Sequence, residues 1–363
     1  MTTEKVCIIG SGNWGSAIAK IIGRNVSKHA EFSTEVNMWV YEEQVNGRRL
    51  TEIINTDHIN VKYLPGIKLP ENVIAVPDVK AAAANATTLV FVLPHQFIGS
   101  ICKQLKGTLP PNCKAISLIK GVSVNADGIS MISDLISSEL DIEVSTLSGA
   151  NISSEVAEEN FCETTIGYRI PEHGHLFKKL FHTEYFHVNI VPDVHGVEMC
   201  GALKNVVAIA AGIVDGLKLG NNSKAAIIRI GLMEMKKFSE SFLEGVAVET
   251  FFESCGVADL TTTCYGGRNR KVAEAFVTTG KPFDVLEKEM LNGQKLQGTI
   301  TAKEVNEFLS ARGLADDFPL FTRVYQVCYE NLPAKYITHD IEFVKTPGAA
   351  RPVTNTAAYF PRL

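Results

Sequence analysis

The sequence has little of several features that mark whole classes of protein. Its 363 residues carry 35 lysines and arginines against 40 aspartates and glutamates, a formal net charge of −5 at pH 7. A protein that binds nucleic acid through the phosphates is normally basic, so this balance argues against that class. No uninterrupted apolar run approaches the ~18 residues of a membrane span. The sequence therefore predicts neither a nucleic-acid partner nor a membrane partner.

The eight cysteines also lack a pairing pattern. They are scattered from Cys7 to Cys328 without a Cys-x-x-Cys pair, so neither a disulfide framework nor a zinc site is expected. The opening sequence MTTEKVCIIG enters an apolar run almost at once, which leaves no room for a signal or transit peptide. We expect reduced thiols, a cytoplasmic location and no metal.

The first half of the chain alternates between two kinds of segment. β-type runs that are apolar on both faces are separated by helix-type stretches, a pattern typical of a doubly wound parallel sheet. The β-type runs are residues 6–10, 36–41, 88–93, 114–119, 144–150, 164–169 and 186–191, and the helix-type stretches include 16–23 and 129–140. The sequence therefore predicts an α/β, Rossmann-type domain with a mostly parallel sheet over residues 1–192.

After residue 192 the β-type runs stop. Successive helix-type stretches follow at 197–214, 223–243, 270–279, 283–291, 300–311 and 319–330. We therefore expect an all-helical second domain over residues 193–345. The last segment, residues 346–363, is rich in proline and small residues and is predicted to be an extended tail.

A glycine-rich hexamer separates the first β-type run from the first helix-type stretch. It has the GxGxxG pattern and consists of Gly10, Ser11, Gly12, Asn13, Trp14 and Gly15. In this setting the first glycine permits a tight turn, the second lets a pyrophosphate approach the backbone, and the third lets the helix pack on the strand. Free amides at the helix N-terminus would face the anion. The hexamer is therefore predicted to bind a dinucleotide.

Two acidic residues follow the second β-type run. An acid at this place normally binds the ribose 2′-OH and repels a 2′-phosphate. Glu42 and Glu43 lie further from the glycines than the usual ~20 residues, so a solvated loop acid is the alternative for each. The acidic character favours NAD over NADP, although Arg48 and Arg49 are close in sequence.

Polar residues also follow three later β-type runs. Ligands of doubly wound sheets bind outside the carboxyl ends of the strands. The segment that ends at Phe97 follows the 88–93 run, Lys120 follows 114–119, and Asn151 follows 144–150. A loop lysine is more often solvated than catalytic, and it is the shared position that makes Lys120 and Asn151 candidates.

The run GALKNVVAIAAGIVDG, residues 201–216, carries polar residues where none is expected. Lys204 and Asn205 are the only plainly polar residues from position 199 to position 214. A helix that is apolar all round is usually buried, and a buried ammonium is costly unless it has partners. Lys204 therefore either extends its head into water along apolar surface or has a function inside the protein.

Two loops of the second half contain glycine beside polar residues. In CYGGRN, residues 264–269, paired glycines would let the backbone and the guanidinium of Arg268 converge on one anion. Arginine binds phosphate bidentately, and a surface arginine at a helix start is the alternative. Residues 291–298 have glycines around a polar centre, which predicts either a mobile lid or a simple interhelical loop.

Taken together, these motifs closely resemble those of the eukaryotic cytosolic NAD-dependent glycerol-3-phosphate dehydrogenases. The matching segments include GSGNWGSAIAK, SLIKG, CGALKNVVA, TTCYGGRNRKVAEAF and LNGQKLQG, and the resemblance covers about residues 5–330. It implies reversible reduction of dihydroxyacetone phosphate to sn-glycerol 3-phosphate by NADH. It also implies a homodimer, with a second domain that serves substrate binding and dimerisation.

The resemblance implies roles for individual residues. Lys204 corresponds to the catalytic lysine, Lys120 to a second active-site lysine, and Asp259 to a supporting carboxylate. The substrate would also contact Asn205, and its phosphate would be held by Thr263, Arg268 and Asn269. Cofactor or lid contacts would come from Tyr41, Phe97, Lys120, Asn151, Arg268, Lys295 and Gln297.

The resemblance fades from about residue 334 onward. The final Pro-Arg-Leu resembles a peroxisomal Ser-Lys-Leu signal, but proline is wrong at its first position. We therefore expect the cytoplasm rather than the peroxisome.

Overall fold

The computed structural model describes residues 3–124, 128–291 and 293–341. The predicted tail, residues 346–363, lies outside these ranges. The described chain divides into two compact units. The first runs to Gly121 and continues over Met131–Val197, and the second contains the described part of Val122–Ser130 and everything from Glu198 onward.

Twelve strands are present in the described residues. They are β1 (Glu4–Ile9), β2 (Phe32–Trp39), β3 (Gln44–Val45), β4 (Arg48–Arg49), β5 (Val73–Val76), β6 (Thr88–Phe91), β7 (Lys114–Ser117), β8 (Val122–Val124), β9 (Ile129–Met131), β10 (Glu143–Ser148), β11 (Cys162–Gly167) and β12 (Phe186–Val191). Eight of them form one sheet with the order β12-β11-β10-β7-β6-β1-β2-β5. The other four form two small sheets, β3-β4 and β8-β9.

The large sheet has the connectivity of a doubly wound dinucleotide-binding fold. Its strands are parallel from β5 to β10, β11 pairs antiparallel with β10, and β12 is parallel to β11. Counted along the chain, the six parallel strands have the order 3-2-1-4-5-6, in which ligands bind where the order reverses, beside the first strand. The predicted Rossmann-type fold is confirmed.

Helices of the first unit cover both faces of this sheet. They are α1 (Asn13–Val26), α2 (Leu50–Asp57), α3 (Val79–Ala82), α4 (Ile98–Leu105), α5 (Ile132–Leu140), α6 (Ser153–Ala157) and α7 (Pro171–Phe181). Two buried apolar clusters, one on each side, contain the sheet's side chains. Strands β6 and β7 are buried at every position, including the polar residues Thr88, Lys114 and Ser117, as expected for strands that are covered on both faces.

The structure makes two corrections to the elements expected in the first half of the chain. The predicted helix 129–140 begins only at Ile132, because Ile129–Met131 forms strand β9. Burial alternates over these three residues, buried, exposed, buried, as it does in a half-buried strand. The second correction is β5, an edge strand of four residues that the sequence analysis did not predict.

The second unit is helical. Its helices are α8 (Val194–Gly216), α9 (Asn221–Phe242), α10 (Asp259–Gly266), α11 (Arg268–Thr279), α12 (Phe283–Leu291), α13 (Gln297–Ser310) and α14 (Pro319–Tyr329). The division between the units falls after Val197, within the first turn of α8 and close to the predicted boundary after residue 192, and β8 with most of β9 belongs to the second unit. The second unit is therefore helical with a small two-stranded addition that the sequence did not predict.

Helix α8 is the buried centre of the second unit. Among the described residues it is the one helix long and apolar enough to cross a membrane, and its most apolar 18-residue window is entirely buried. By length and composition α8 could cross a membrane, although Lys204 interrupts its apolar run. Complete burial is what the core helix of a folded domain shows.

A buried carboxyl group joins α9 to α14. Glu234 is fully buried, and its two oxygens accept the backbone N–H groups of Leu320 and Phe321 at 2.7 and 3.0 Å. These are first-turn donors of α14 that have no partner within the helix. Burial raises the pKa of Glu234 to about 7, although the two hydrogen bonds lower it.

We expect Glu234→Gln to remove part of the pH dependence of unfolding. A carboxyl whose pKa is higher in the folded than in the unfolded chain makes the folded state bind more protons, so it lowers stability as pH rises. The window runs from the ordinary pKa of 4.5 to about 7. Between pH 4.5 and about 7, the free energy of unfolding of the wild type, measured relative to that of the variant, should fall by up to about 3 kcal/mol. Denaturant titrations at several pH values test this, and a difference that does not change with pH would contradict it.

Candidate active site

The glycine hexamer forms a turn with one open position. Gly10 has φ +123°, a conformation that side chains rarely adopt. A Cβ on Gly15 would lie 2.4 Å from the carbonyl oxygen of Gly10, so only glycine lets α1 approach the end of β1 this closely. A Cβ on Gly12 would meet no atom within 4 Å. The first and third glycines are thus needed for packing, and the second faces open space.

Helix α1 begins directly after this open position. Gly12 is its N-cap residue, no side chain caps the helix, and its first turn has no acidic residue. The first backbone N–H groups of a helix lack partners within it and attract anions. An open backbone position beside uncapped N–H donors fits a pyrophosphate, which is the group that NAD would present here.

Two side chains of the hexamer make contacts within the protein, and a third is buried. Asn13 Nδ2 donates to the carbonyl oxygen of Tyr63 at 2.8 Å. Trp14 packs against the core and lies 6.3 Å from Phe186 between ring centroids. Ser11 is buried. A dinucleotide would therefore be bound by the backbone of this loop rather than by these side chains.

Other predicted cofactor residues follow the carboxyl ends of strands β2, β6, β7 and β10. Tyr41 and Phe97 are exposed by 71% and 52%, which is unusual for aromatic rings. Lys120 Nζ donates to the carbonyl oxygen of Gly149 at 2.9 Å, and Asn151 Nδ2 donates to that of Glu163 at 2.9 Å. The sheet thus brings these residues to the same edge as the glycine hexamer, as predicted.

The two candidate acids for the ribose have different partners. Glu42 accepts the backbone N–H of Thr51 at 3.2 Å and its hydroxyl at 2.5 Å, in the first turn of α2. Glu43 accepts Lys62 Nζ at 2.6 Å and the hydroxyl of Tyr63 at 2.8 Å. The hydrogen bond from Lys62 lowers the pKa of Glu43. Both acids therefore have partners within the protein. Lys62 and Tyr63, the partners of Glu43, were not predicted from the sequence.

In the second unit, Lys204 lies in a buried polar cluster. Its Nζ donates to Asp259 Oδ1 at 2.5 Å and to Thr263 Oγ1 at 2.8 Å. All three residues are buried, and Lys204 is only 6% exposed. The alternative in which the ammonium extends into water is therefore wrong. A buried lysine with two polar partners is a candidate functional group, and a structural ion pair is the other role that such a lysine can have.

An irregular turn positions Asp259. Residues Ser254–Ala258 form a π-helix that leads directly into α10. A Cβ on Gly256 would lie 2.3 Å from the carbonyl oxygen of Phe251, so this turn requires glycine. Single π-turns are rare and occur frequently at functional sites. They have no sequence signature, and the sequence analysis did not predict this one.

A chain of amide hydrogen bonds connects α8, α11 and α13. Asn269 Nδ2 donates to Asn205 Oδ1 at 3.0 Å, and Asn269 Oδ1 accepts the backbone N–H of Gly298 at 2.9 Å. A Cβ on Gly298 would lie 2.4 Å from the carbonyl oxygen of Asn205. The three helices therefore meet at close range, beside Lys204.

The N-terminus of α11 is open to an anion. Gly267 is its N-cap residue, no side chain caps the helix, and its first turn contains no acid. Arg268 is exposed, and its Nη1 donates to Gln294 Oε1 at 2.9 Å. Uncapped N–H groups beside a guanidinium fit a phosphate. Thr263 and Asn269, the other two predicted phosphate ligands, are buried with partners.

The two remaining candidates lie near the loop 291–298. Lys295 is exposed by 67% on its side chain, and its Nζ donates to Glu287 Oε2 at 2.7 Å. Gln297 is the first residue of α13. Asn292, within the predicted lid, lies outside the described residues. Both Lys295 and Gln297 thus belong to the second unit, near the start of α13.

The cysteines of this chain are all free. Cys264 lies next to Thr263 in sequence, and burial raises the pKa of its thiol to about 12. Over the ranges that the structure describes, histidines, cysteines and acids form no group of three that could hold a metal ion.

Comparison with known families gives matches over both halves of the chain. Residues 5–173 match the family described as NAD-dependent glycerol-3-phosphate dehydrogenase N-terminus. Residues 193–339 match the family described as NAD-dependent glycerol-3-phosphate dehydrogenase C-terminus. Together the two matches cover most of the chain.

Similar proteins carry the same name. The chain is 62% identical to the rat cytoplasmic NAD⁺ glycerol-3-phosphate dehydrogenase, over 92% of this chain and 96% of that protein. It is 60% identical to the human protein of that name, over 94% and 98%. Among solved structures, glycerol-3-phosphate dehydrogenase from Saccharomyces cerevisiae has a TM-score of 0.91 at 50% identity, over 94% of this chain and 100% of that one.

Proposed function

The chain belongs to the NAD-dependent glycerol-3-phosphate dehydrogenase family, and from this premise we propose that it reversibly reduces dihydroxyacetone phosphate to sn-glycerol 3-phosphate. It is an NAD-dependent oxidoreductase of this family. The observation that carries the proposed chemistry is the buried cluster of Lys204, Asp259 and Thr263 beside the open N-terminus of α11. Reduction of a phosphorylated ketone requires a proton donor for the carbonyl oxygen and an anion site for the phosphate.

The first unit would hold the cofactor. The backbone of Gly10–Gly15 would bind the pyrophosphate, and the exposed rings of Tyr41 and Phe97 would contact the bases. Lys120 and Asn151 would complete the contacts at the same edge of the sheet. When bound, NADH supplies the hydride.

Lys204 would act as the general acid and base. Reduction of a ketone leaves negative charge on its oxygen, and an ammonium at hydrogen-bond distance stabilises that charge and donates the proton. Asp259 and Thr263 fix the direction of Nζ. In the reverse reaction the neutral amine would accept the hydroxyl proton. Asn205, next to Lys204 on α8, would contact the substrate.

The substrate phosphate would be bound at the start of α11. Arg268 offers a charged donor there, and the first N–H groups of the helix offer further donors. Asn269 is held by Asn205 and Gly298, so the first turn of α11 is fixed relative to the helix that carries Lys204. Initial rates of NADH oxidation with dihydroxyacetone phosphate, compared with its phosphate-free analogue, test the proposal.

The cytoplasm is the proposed location, because the rat and human relatives are named cytoplasmic. The homodimer stays a prediction from the resemblance.

We expect a clear preference for NADH over NADPH that depends on Glu43. Glu43→Gln removes the carboxylate and leaves Lys62 without its partner, which would make the site more favourable to a 2′-phosphate. One charge near another contributes roughly 1–4 kcal/mol between bulk-water and near-surface dielectric values. The ratio of kcat/KM for NADPH to that for NADH should therefore rise at least ~5-fold.

The double variant Glu43→Gln, Lys62→Met is the control for this change, because it removes the cation as well. Its ratio should lie between those of the wild type and the single variant. An unchanged ratio in Glu43→Gln would show that Glu43 does not discriminate between the cofactors.

A further inference from the structure

A segment outside the sequence motifs supports the glycine hexamer. It lies between α2 and β5, and its central residue is Asn60, which has no exposed surface. Asn60 Nδ2 donates to the carbonyl oxygen of Ser11 at 2.8 Å and to Ser16 Oγ at 2.9 Å. Both hydrogen bonds that the side-chain nitrogen of Asn60 donates therefore go to the glycine loop and to the first turn of α1.

The orientation of the Asn60 side-chain amide is fixed by the hydrogen bond that its oxygen accepts. Asn60 Oδ1 accepts the backbone N–H of Tyr63 at 3.2 Å, so the NH₂ group must face Ser11 and Ser16. Ser16 Oγ also donates to the Ser11 carbonyl oxygen, at 3.3 Å. Two donors therefore hold this single carbonyl on the inner side of the loop.

Holding this carbonyl also sets the direction of an amide hydrogen. The carbonyl of Ser11 and the N–H of Gly12 belong to one planar trans peptide, in which the two bonds point in opposite directions. With the oxygen held toward Asn60, the Gly12 N–H is directed away from Asn60. Gly12 is the one glycine of the hexamer at which a Cβ would meet no atom within 4 Å.

We propose that Asn60 is a positioning residue for the dinucleotide. Its hydrogen bond holds the Ser11–Gly12 peptide in the orientation in which the Gly12 N–H faces the pyrophosphate. The proposal rests on the proposed function insofar as the hexamer binds NAD. This restraint is needed because the peptide is joined to Gly12, and a glycine tolerates a rotated peptide better than any other residue does. A rotated peptide would present a carbonyl oxygen to the anion instead of a donor.

The chain provides a closely matched control at the other end of α1. Asn25 is also completely buried, and its Nδ2 donates to two backbone carbonyl oxygens, those of Leu180 and His182, at 3.1 and 3.0 Å. Its hydrogen bonds hold α1 to α7 and touch no part of the hexamer. Asn25→Ala therefore removes a similar set of contacts from the same helix without touching the loop.

The test is the dissociation constant of NADH, and separately of ADP-ribose, for the full chain and its Asn60→Ala and Asn60→Asp variants. Aspartate keeps the acceptor for Tyr63 but has no amide donor for Ser11. We expect both variants to bind each ligand at least ~10-fold more weakly, which is about 1.4 kcal/mol. ADP-ribose lacks the nicotinamide, so an equal loss for both ligands assigns the effect to the ADP-ribose part of the dinucleotide, which contains the pyrophosphate. At saturating NADH, kcat should stay near that of the wild type.

Asn25→Ala should lower the melting temperature as much as Asn60→Ala does and leave both dissociation constants within about twofold of the wild type. If Asn60→Ala does not fold, Ser16→Ala can be used, because it removes the second donor to the same carbonyl oxygen. It should weaken the binding of both ligands, but less than the loss expected for Asn60→Ala. Wild-type affinity for NADH in Asn60→Asp, or an equal loss in Asn25→Ala, would overturn the proposal. A wild-type chain that does not bind NADH at all would instead contradict the proposed function.

Discussion

Replacing Lys204 by alanine should lower kcat by at least the ~10²-fold that a lost general acid typically costs. The reason is that the ketone oxygen would then receive neither the proton nor the stabilising charge of the ammonium. The affinity for NADH should stay near that of the wild type, because the glycine hexamer lies in the first unit and Lys204 in the second. Steady-state kinetics with dihydroxyacetone phosphate and a direct NADH titration measure both quantities.

Two further variants separate chemistry from stability at this position. Removing Lys204 takes the ammonium away from the buried carboxylate of Asp259, and loss of one partner of a buried ion pair destabilises proteins by roughly 3–5 kcal/mol, so the alanine variant could fail to fold. Lys204→Arg keeps a positive charge for Asp259 but does not release a proton at neutral pH. It should fold and still lose at least ~10²-fold in kcat.

Lys224 is the matched control for Lys204. It is equally buried and pairs with Asp215 at 2.7 Å in the same unit, as Lys204 pairs with Asp259 at 2.5 Å. Lys224→Met should therefore lower the melting temperature while reducing kcat far less than the Lys204 variants do. Equal losses of kcat at the two lysines, or most of the turnover remaining in Lys204→Arg, would show that Lys204 is structural.

Replacing Arg268 by alanine should lower kcat and raise KM for dihydroxyacetone phosphate. The phosphate does not react, so its binding energy is useful only where it holds the carbonyl in position for the transition state. We expect kcat/KM to fall by roughly 10²–10³-fold, by analogy with the loss of kcat found when one preorganised hydrogen-bond donor is removed from an active site. A residue that assisted ground-state binding alone would raise KM and leave kcat unchanged.

Glycolaldehyde, which has the carbonyl but no phosphate, distinguishes a phosphate ligand from other roles. The Arg268→Ala variant should lose much less kcat/KM with glycolaldehyde than with dihydroxyacetone phosphate. Lys271→Ala is the control, since it removes an exposed positive charge from the first turns of the same helix. Equal losses on both substrates in Arg268→Ala would mean that Arg268 acts on the cofactor or the fold.

The parts of the fold that the sequence predicted are those with a local cause. Gly10, Gly12 and Gly15 have separate roles that follow from their spacing, and the structure shows two of them tightly packed and one open. Strand β6 is buried on both faces, and the largely apolar run 88–93 that contains it is typical of a parallel sheet. The family, the enzyme class and the NAD dependence that the resemblance implied are confirmed by the relatives.

The parts that the sequence did not predict depend on distant partners. Strands β5 and β9 have four and three residues, too few for a periodic pattern, and they exist because a neighbouring strand pairs with them. Glu43 could not be distinguished from a solvated acid, because its partners Lys62 and Tyr63 lie about 20 positions further along the chain.

The role of Lys204 in the candidate site also depends on distant partners, so the sequence alone did not determine it. From the residues alone it was either a solvated or a functional lysine, and the choice depended on Asp259 and Thr263, which are 55 and 59 positions away. The π-turn that brings Asp259 into place has no sequence pattern of its own. Residue types and local spacing therefore identified the candidates, and only the fold determined which of them are in contact.

The proposed reaction is tested most directly by one measurement, the loss of NADH absorbance when the full-length protein is mixed with dihydroxyacetone phosphate. We expect oxidation that depends on this substrate, gives sn-glycerol 3-phosphate, and is far slower with phosphate-free dihydroxyacetone at the same concentration. Absence of NADH oxidation with dihydroxyacetone phosphate, or equal rates with its phosphate-free analogue, would contradict the account.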